Sequence, residues 1–152
     1  MVEEDEYRAT YHSLNDRRCI FEKTILSYRS GCSQSSHFFL ADREGIRCNS
    51  PEYRQHCATF LPHLRQKARF ALNLSETNDT LPYTQEIRIQ TGGMLGLQRI
   101  ANHDDTEPDH ADDISTLISD GLKKYADINN FPFQEIIQSI AKFKGRKKRQ
   151  RR

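Results

Sequence analysis

The chain has 152 residues, 36% of them hydrophobic and 29% charged, which is enough for one domain with a core and too little for two. The formal charge of +2 hides an asymmetry: Lys142 to Arg152 carries eight basic residues and no acidic ones. The remainder holds 15 basic and 21 acidic residues, a net charge of −6. No run of about 18 apolar residues occurs, so no transmembrane helix is expected, and the acidic start Met1-Val2-Glu3-Glu4-Asp5-Glu6 is unlike a secretory signal. The expected location is cytoplasmic, where structural disulfides are disfavoured.

Residues 1–16 read as a polar N-terminal arm and residues 17–143 as a helical domain. From Arg17 on, Ile20, Phe21, Thr24, Ile25 and Tyr28 recur at helical spacing, and Ser30-Gly31-Cys32-Ser33 ends that segment. A second helix is expected over His37 to Glu44, burying Phe38, Phe39, Leu40 and Ala41, with Gly45 as its stop. Asn49-Ser50-Pro51-Glu52 is a helix start: a capping residue, a proline at the first helical position and an acid in the first turn. The third helix runs from Pro51 towards Leu72, with a kink or break expected at Pro62.

Residues 73–81 read as a loop. A fourth helix begins at Pro82 and carries Ile87, Met94, Leu95 and Leu97. Its glycines, in Gln90-Thr91-Gly92-Gly93-Met94-Leu95-Gly96, lack the ending of a phosphate loop and suit close helix packing or a turn. Glu86-Ile87-Arg88-Ile89-Gln90 is the one short strand-like alternation. Residues 102–113 form an acidic linker, whose His103, Asp104, Asp105, Asp109, His110, Asp112 and Asp113 follow no regular cation-ligand spacing. A fifth helix carries Ile114, Leu117, Ile118, Leu122 and Tyr125. After the turn Asn129-Asn130-Phe131-Pro132, a last helix uses Phe133, Ile136, Ile137, Ile140 and Phe143. The expected fold is all-α, a small bundle of five or six short helices with a disordered basic tail over 144–152.

Four cysteines, Cys19, Cys32, Cys48 and Cys57, all fall within 39 residues, and none follows. No close pair marks a zinc finger or a ferredoxin run. If the first two helices form a hairpin, Cys48 returns to the side of Cys19, and Cys57 sits about two turns into the third helix. This geometry makes Cys19, Cys48 and Cys57 the converging trio and leaves Cys32 at the opposite end. The cofactor expectation is an iron–sulfur cluster, with zinc as the alternative and His56 or His63 as substitute ligands. Four ordinary buried cysteines with no cofactor account for the same pattern. No nucleophile–base pair emerges: adjacent residues on a helix point about 100° apart, so His56 is badly placed to activate Cys57.

The tail residues Lys144, Arg146, Lys147, Lys148, Arg149, Arg151 and Arg152 can neutralise phosphates, or can dock on an acidic protein. Two functions follow. The first is a small metal-binding or iron–sulfur accessory protein with a redox, sensing or assembly role, rather than a stand-alone enzyme. The second is a metal-free adaptor or nucleic-acid-associated protein acting through its tail.

Overall fold

A computed structural model describes residues 15–74, 81–104, 106 and 108–143. Most of the polar arm, the basic tail and part of the acidic linker therefore lie outside the described residues. The elements run, in chain order, as helix α1 (Glu22–Leu26), strands β1 (Ser35–Leu40) and β2 (Arg43–Cys48), then helices α2 (Pro51–Leu72), α3 (Tyr83–Asn102), α4 (Ile114–Tyr125) and α5 (Phe133–Lys142). A single 3₁₀ turn, Ile128–Asn130, separates the last two helices. The protein is mostly helical, but the all-α expectation is corrected by the two-stranded antiparallel hairpin.

The hairpin replaces the helix expected over His37 to Glu44. Its register pairs Ser35 with Cys48, Phe38 with Gly45 and Leu40 with Arg43, so Gly45 is a mid-strand residue rather than a helix stop. Ala41 and Asp42 make the two-residue turn, with Ala41 in the left-handed region at φ 55°. Upstream, the amide of Cys19 donates to the carbonyl of Ile46 at 2.9 Å, and that of Cys48 to Arg17 at 2.8 Å. Residues 17–19 thus lie antiparallel along β2, and α1 shrinks to five residues. Helical spacing there still marks the buried side chains, Phe21, Thr24 and Ile25, while Tyr28 turns out into solvent with φ 61°. The ordered body reaches back at least to Asn15, which is buried and donates to the Ile46 carbonyl.

Helix α2 begins as its sequence dictates: the Ser50 side chain accepts from the amide of Tyr53, and Pro51 takes the first turn. The break expected at Pro62 does not occur. Proline deprives the Ala58 carbonyl of its helical donor, but Pro62 lies on the exposed face, while Phe60, Leu61, Leu64 and Ala68 anchor the opposite face in the core. The helix continues through 22 residues to Asn73, which ends it in the left-handed conformation at φ 53°.

Helix α3 is the central element. Residues Ile89 to Gln98 are buried without interruption, and the strand-like alternation at 86–90 is part of the helix. Its glycines serve contact. A Cβ on Gly92 would stand 2.6 Å from the Ile140 Cα, and one on Gly96 would stand 2.9 Å from the Ser139 Cβ. Gly92 and Gly96 lie one turn apart, so their bare backbone forms the seam against α5.

A polar relay crosses this core. Arg65 on α2 donates through Nε and Nη2 to the two carboxylate oxygens of Glu86 on α3, both at 2.8 Å. Gln90 donates to Glu86, and its carbonyl oxygen accepts from the amide of Thr24 on α1. Thr91 donates to the Thr24 hydroxyl, which in turn pairs with Ser30. Burial alone would raise the Glu86 carboxyl, but the bonds from Arg65 and Gln90 outweigh it and hold the group below its ordinary value.

Candidate functional site

The register of the hairpin decides where the cysteines go. Ser35 faces Cys48, and Cys32 lies three residues before Ser35, whose amide and hydroxyl both donate to the Cys32 carbonyl. Cys32 and Cys48 therefore share the open end of the hairpin. The 17–19 segment, laid along β2, brings Cys19 to the same end. Helix α2 starts three residues after Cys48 and returns over that end, presenting Cys57 in its second turn.

All four cysteines line one pocket, together with Ile20, Tyr53 and Arg54, and with Ile114 and Ser115 at the start of α4. The expectation that Cys32 stands apart is therefore corrected. It assumed a helical hairpin, whereas the strand pairing turns Cys32 towards the others. The pocket wall is apolar, and its clear central space is about 10 Å³, roughly that of one water molecule. All four cysteines are free thiols, and the Cys48 thiol donates to the Ser50 carbonyl at 3.1 Å.

Burial pushes the Cys19 thiol up to about 12, and the neighbouring Cys32 and Cys48 add to the effect. Burial likewise raises Cys57, reinforced by Cys19, Cys32 and Cys48, while Arg54 pulls in the opposite direction. Cys32 and Cys48 are thus within electrostatic reach of both Cys19 and Cys57. Even so, among the described residues no three His, Cys, Asp or Glu side chains are drawn around one point tightly enough to hold a metal ion as they stand.

Neither histidine weighed as a substitute ligand is in the pocket. His56 lies edge-on to Tyr53, and its Nδ1 is buried without a hydrogen-bond partner among the described residues. His63 bonds to the Thr59 carbonyl and to Asn129, and stacks on Phe133. In the acidic segment, Asp113 serves the fold. It accepts from the Ser33 amide and from the hydroxyls of Ser115 and Thr116. Partial burial opposes its ionisation, but these bonds prevail and hold the carboxyl at about 2.

The tail cations Lys144 to Arg152 lie outside the described residues. Sequence reasoning did not find Tyr53, Arg54, Ile114 or Ser115. Tyr53 and Arg54 carried a signal, since they sit one helical turn before Cys57. Ile114 and Ser115 carried none, because they arrive from nearly 60 residues further along the chain.

No family model matches the chain, and neither curated proteins nor solved structures give a match. Among the described residues, no helix is long and apolar enough to cross a membrane.

Proposed function

We propose that the chain is a cysteine-ligated iron–sulfur protein with a redox, sensing or assembly role, in which Cys19, Cys32, Cys48 and Cys57 are the ligands. The observation that carries this reading is the meeting of four thiols, from four separate segments, in one apolar pocket. A set of four cysteines is the usual donor set for such clusters, with the thiolates spread over four irons in a [4Fe–4S] cluster or paired on two in a [2Fe–2S] cluster. Zinc, which needs four sulfurs around a single point, is the alternative metal.

The chain's own residues prepare the site. Ile20, half-buried, and Ile114, fully buried, supply apolar wall that limits access of water. Arg54 and the positive end of α4, at Ile114 and Ser115, offset the charge of thiolates. The clear space is smaller than a cluster, so loading requires the four side chains to turn. Loading also releases the protons that burial holds on Cys19 and Cys57, which makes it favoured by rising pH. A bound cluster would supply one-electron chemistry or sensitivity to oxidants. A reducing cytoplasm suits such thiols.

The test is anaerobic purification of the full chain, followed by iron, sulfide and zinc assays. The expected result is a brown protein holding iron and sulfide in about equal amounts, lost in Cys→Ser variants at positions 19, 32, 48 and 57. Zinc without iron selects the alternative metal. A colourless, metal-free, folded protein overturns metal binding and leaves the adaptor reading, in which the basic tail acts on nucleic acid or an acidic protein.

A further inference from the structure

A second cavity, of about 280 Å³, opens beside the cysteine pocket and shares Cys19, Ile20 and Arg54 with it. Among the described residues its charged lining is Arg18, Lys23, Arg54 and Arg65, with Glu22 as the one acid. This concentration of positive charge departs from the chain outside its C-terminal run, which carries a net −6.

The ion pairs show where the charge is left over. Arg18 donates to Glu22 at 2.7 Å, and the other Glu22 oxygen accepts from the Ile46 amide. Arg65 is held in a two-point pair by Glu86. Lys23 makes no ion pair among the described residues. Arg54 spends its Nε on the Arg18 carbonyl at 2.8 Å, which fixes the guanidinium at the cavity wall. Among the described residues, Lys23 and Arg54 thus have no carboxylate in direct contact, although Glu86, already paired with Arg65, attracts Lys23 at longer range; Arg54 is a planar fork suited to two-point recognition of an oxyanion.

The volume is at the small end of metabolite sites. Gln90 adds a neutral polar group at the wall, already oriented by Glu86 and Thr24. We propose that this cavity binds a small, multiply charged oxyanion, a phosphate ester or a polycarboxylate, held between Lys23 and Arg54 next to the cysteine site. This assignment rests on the cavity and its charges and is independent of whether the cysteines hold a cluster.

The test is calorimetric titration of the full chain with pyrophosphate and, separately, with citrate at low ionic strength, on wild type, Lys23→Glu and Lys123→Glu. Both substitutions change the net charge equally, and Lys123 lies on α4 outside the cavity. The expected result is saturable binding to wild type that weakens about tenfold or more in Lys23→Glu and less than about twofold in Lys123→Glu. Preference for pyrophosphate or for citrate identifies the phosphate or the carboxylate class. Lys23→Met, which removes the charge and keeps the stem, repeats the measurement should the reversal impair folding. Absence of binding by wild type, or equal weakening by both reversals, overturns the proposal; the latter would place the anion on the tail or on diffuse charge. Protein without iron gives the same answer, so a failed iron assay and a failed titration are read separately.

Discussion

Cys19 and Cys57 are partly buried against the core, and this sets their chemistry. A buried thiolate loses its hydration, so the proton stays, and the reactive form is suppressed. For the metal-free protein this has a consequence for stability. The folded-state pKa of Cys19 is raised from 9.0 to about 12. The stability it contributes is complete below pH 9 and lost as the pH rises towards 12. The melting temperature of metal-free protein is expected to fall across that window, by an amount equivalent to a few kcal/mol at most. Cys19→Ala should flatten the fall, and melts of the two proteins at several pH values check it. A cluster or metal would reverse the picture, because the ligands are then already deprotonated. The cysteines were legible in the sequence as a group, through their crowding into 39 residues. The place of Cys32 was not, because it depends on a strand register that no cysteine spacing encodes.

At the scale of elements, the hairpin shows why local pattern misled. Phe38, Phe39 and Leu40 are consecutive apolar residues, which fit a short buried helix as well as a strand. The turn is Ala41-Asp42, which lacks the Asn-Gly or Asp-Gly signature that betrays a two-residue hairpin. Phe39 ends largely exposed, so hydrophobicity at that position did not signal burial. The four longer helices were legible because each combines apolar periodicity with chemical punctuation, as at Ser50-Pro51 or Pro132-Phe133. The glycines of α3 were legible as candidates for close helix packing, and the seam with α5 bears this out. Gly92→Ala is expected to destabilise the protein by about 2 kcal/mol, since overpacking against the α5 backbone exceeds the gain of about 1 kcal/mol in helix propensity. Gly96→Ala should cost less, because the side chain of Ser139 can yield part of the space while the Ile136 carbonyl cannot. Chemical denaturation of both variants, with unchanged far-ultraviolet circular dichroism as the check on fold, measures the order.

At the scale of the whole molecule, the charge separates into an acidic body and a cationic C-terminal run. The body closes on itself before that run begins. Arg88 donates to the Ile140 and Ala141 carbonyls at the end of α5, and the Arg29 guanidinium lies 5.6 Å from the centre of the Phe143 ring. Phe143 packs on the core and is the last apolar residue in the sequence. From Lys144 onwards there is no side chain for a core to bury, and seven like charges repel along the segment. Deletion of residues 144–152 is therefore expected to leave the melting temperature of the body within a few degrees of the full chain. Polyanion binding should depart with the deletion, and in the full chain it should fall steeply with salt. If all seven cations meet phosphates of duplex DNA, the logarithmic slope approaches roughly −6, because each contact releases a condensed counterion. Melting curves and a salt series on both proteins decide the matter. Unfolding on deletion would make the tail part of the core, and a full chain that binds no polyanion at low salt would turn the tail towards an acidic protein partner.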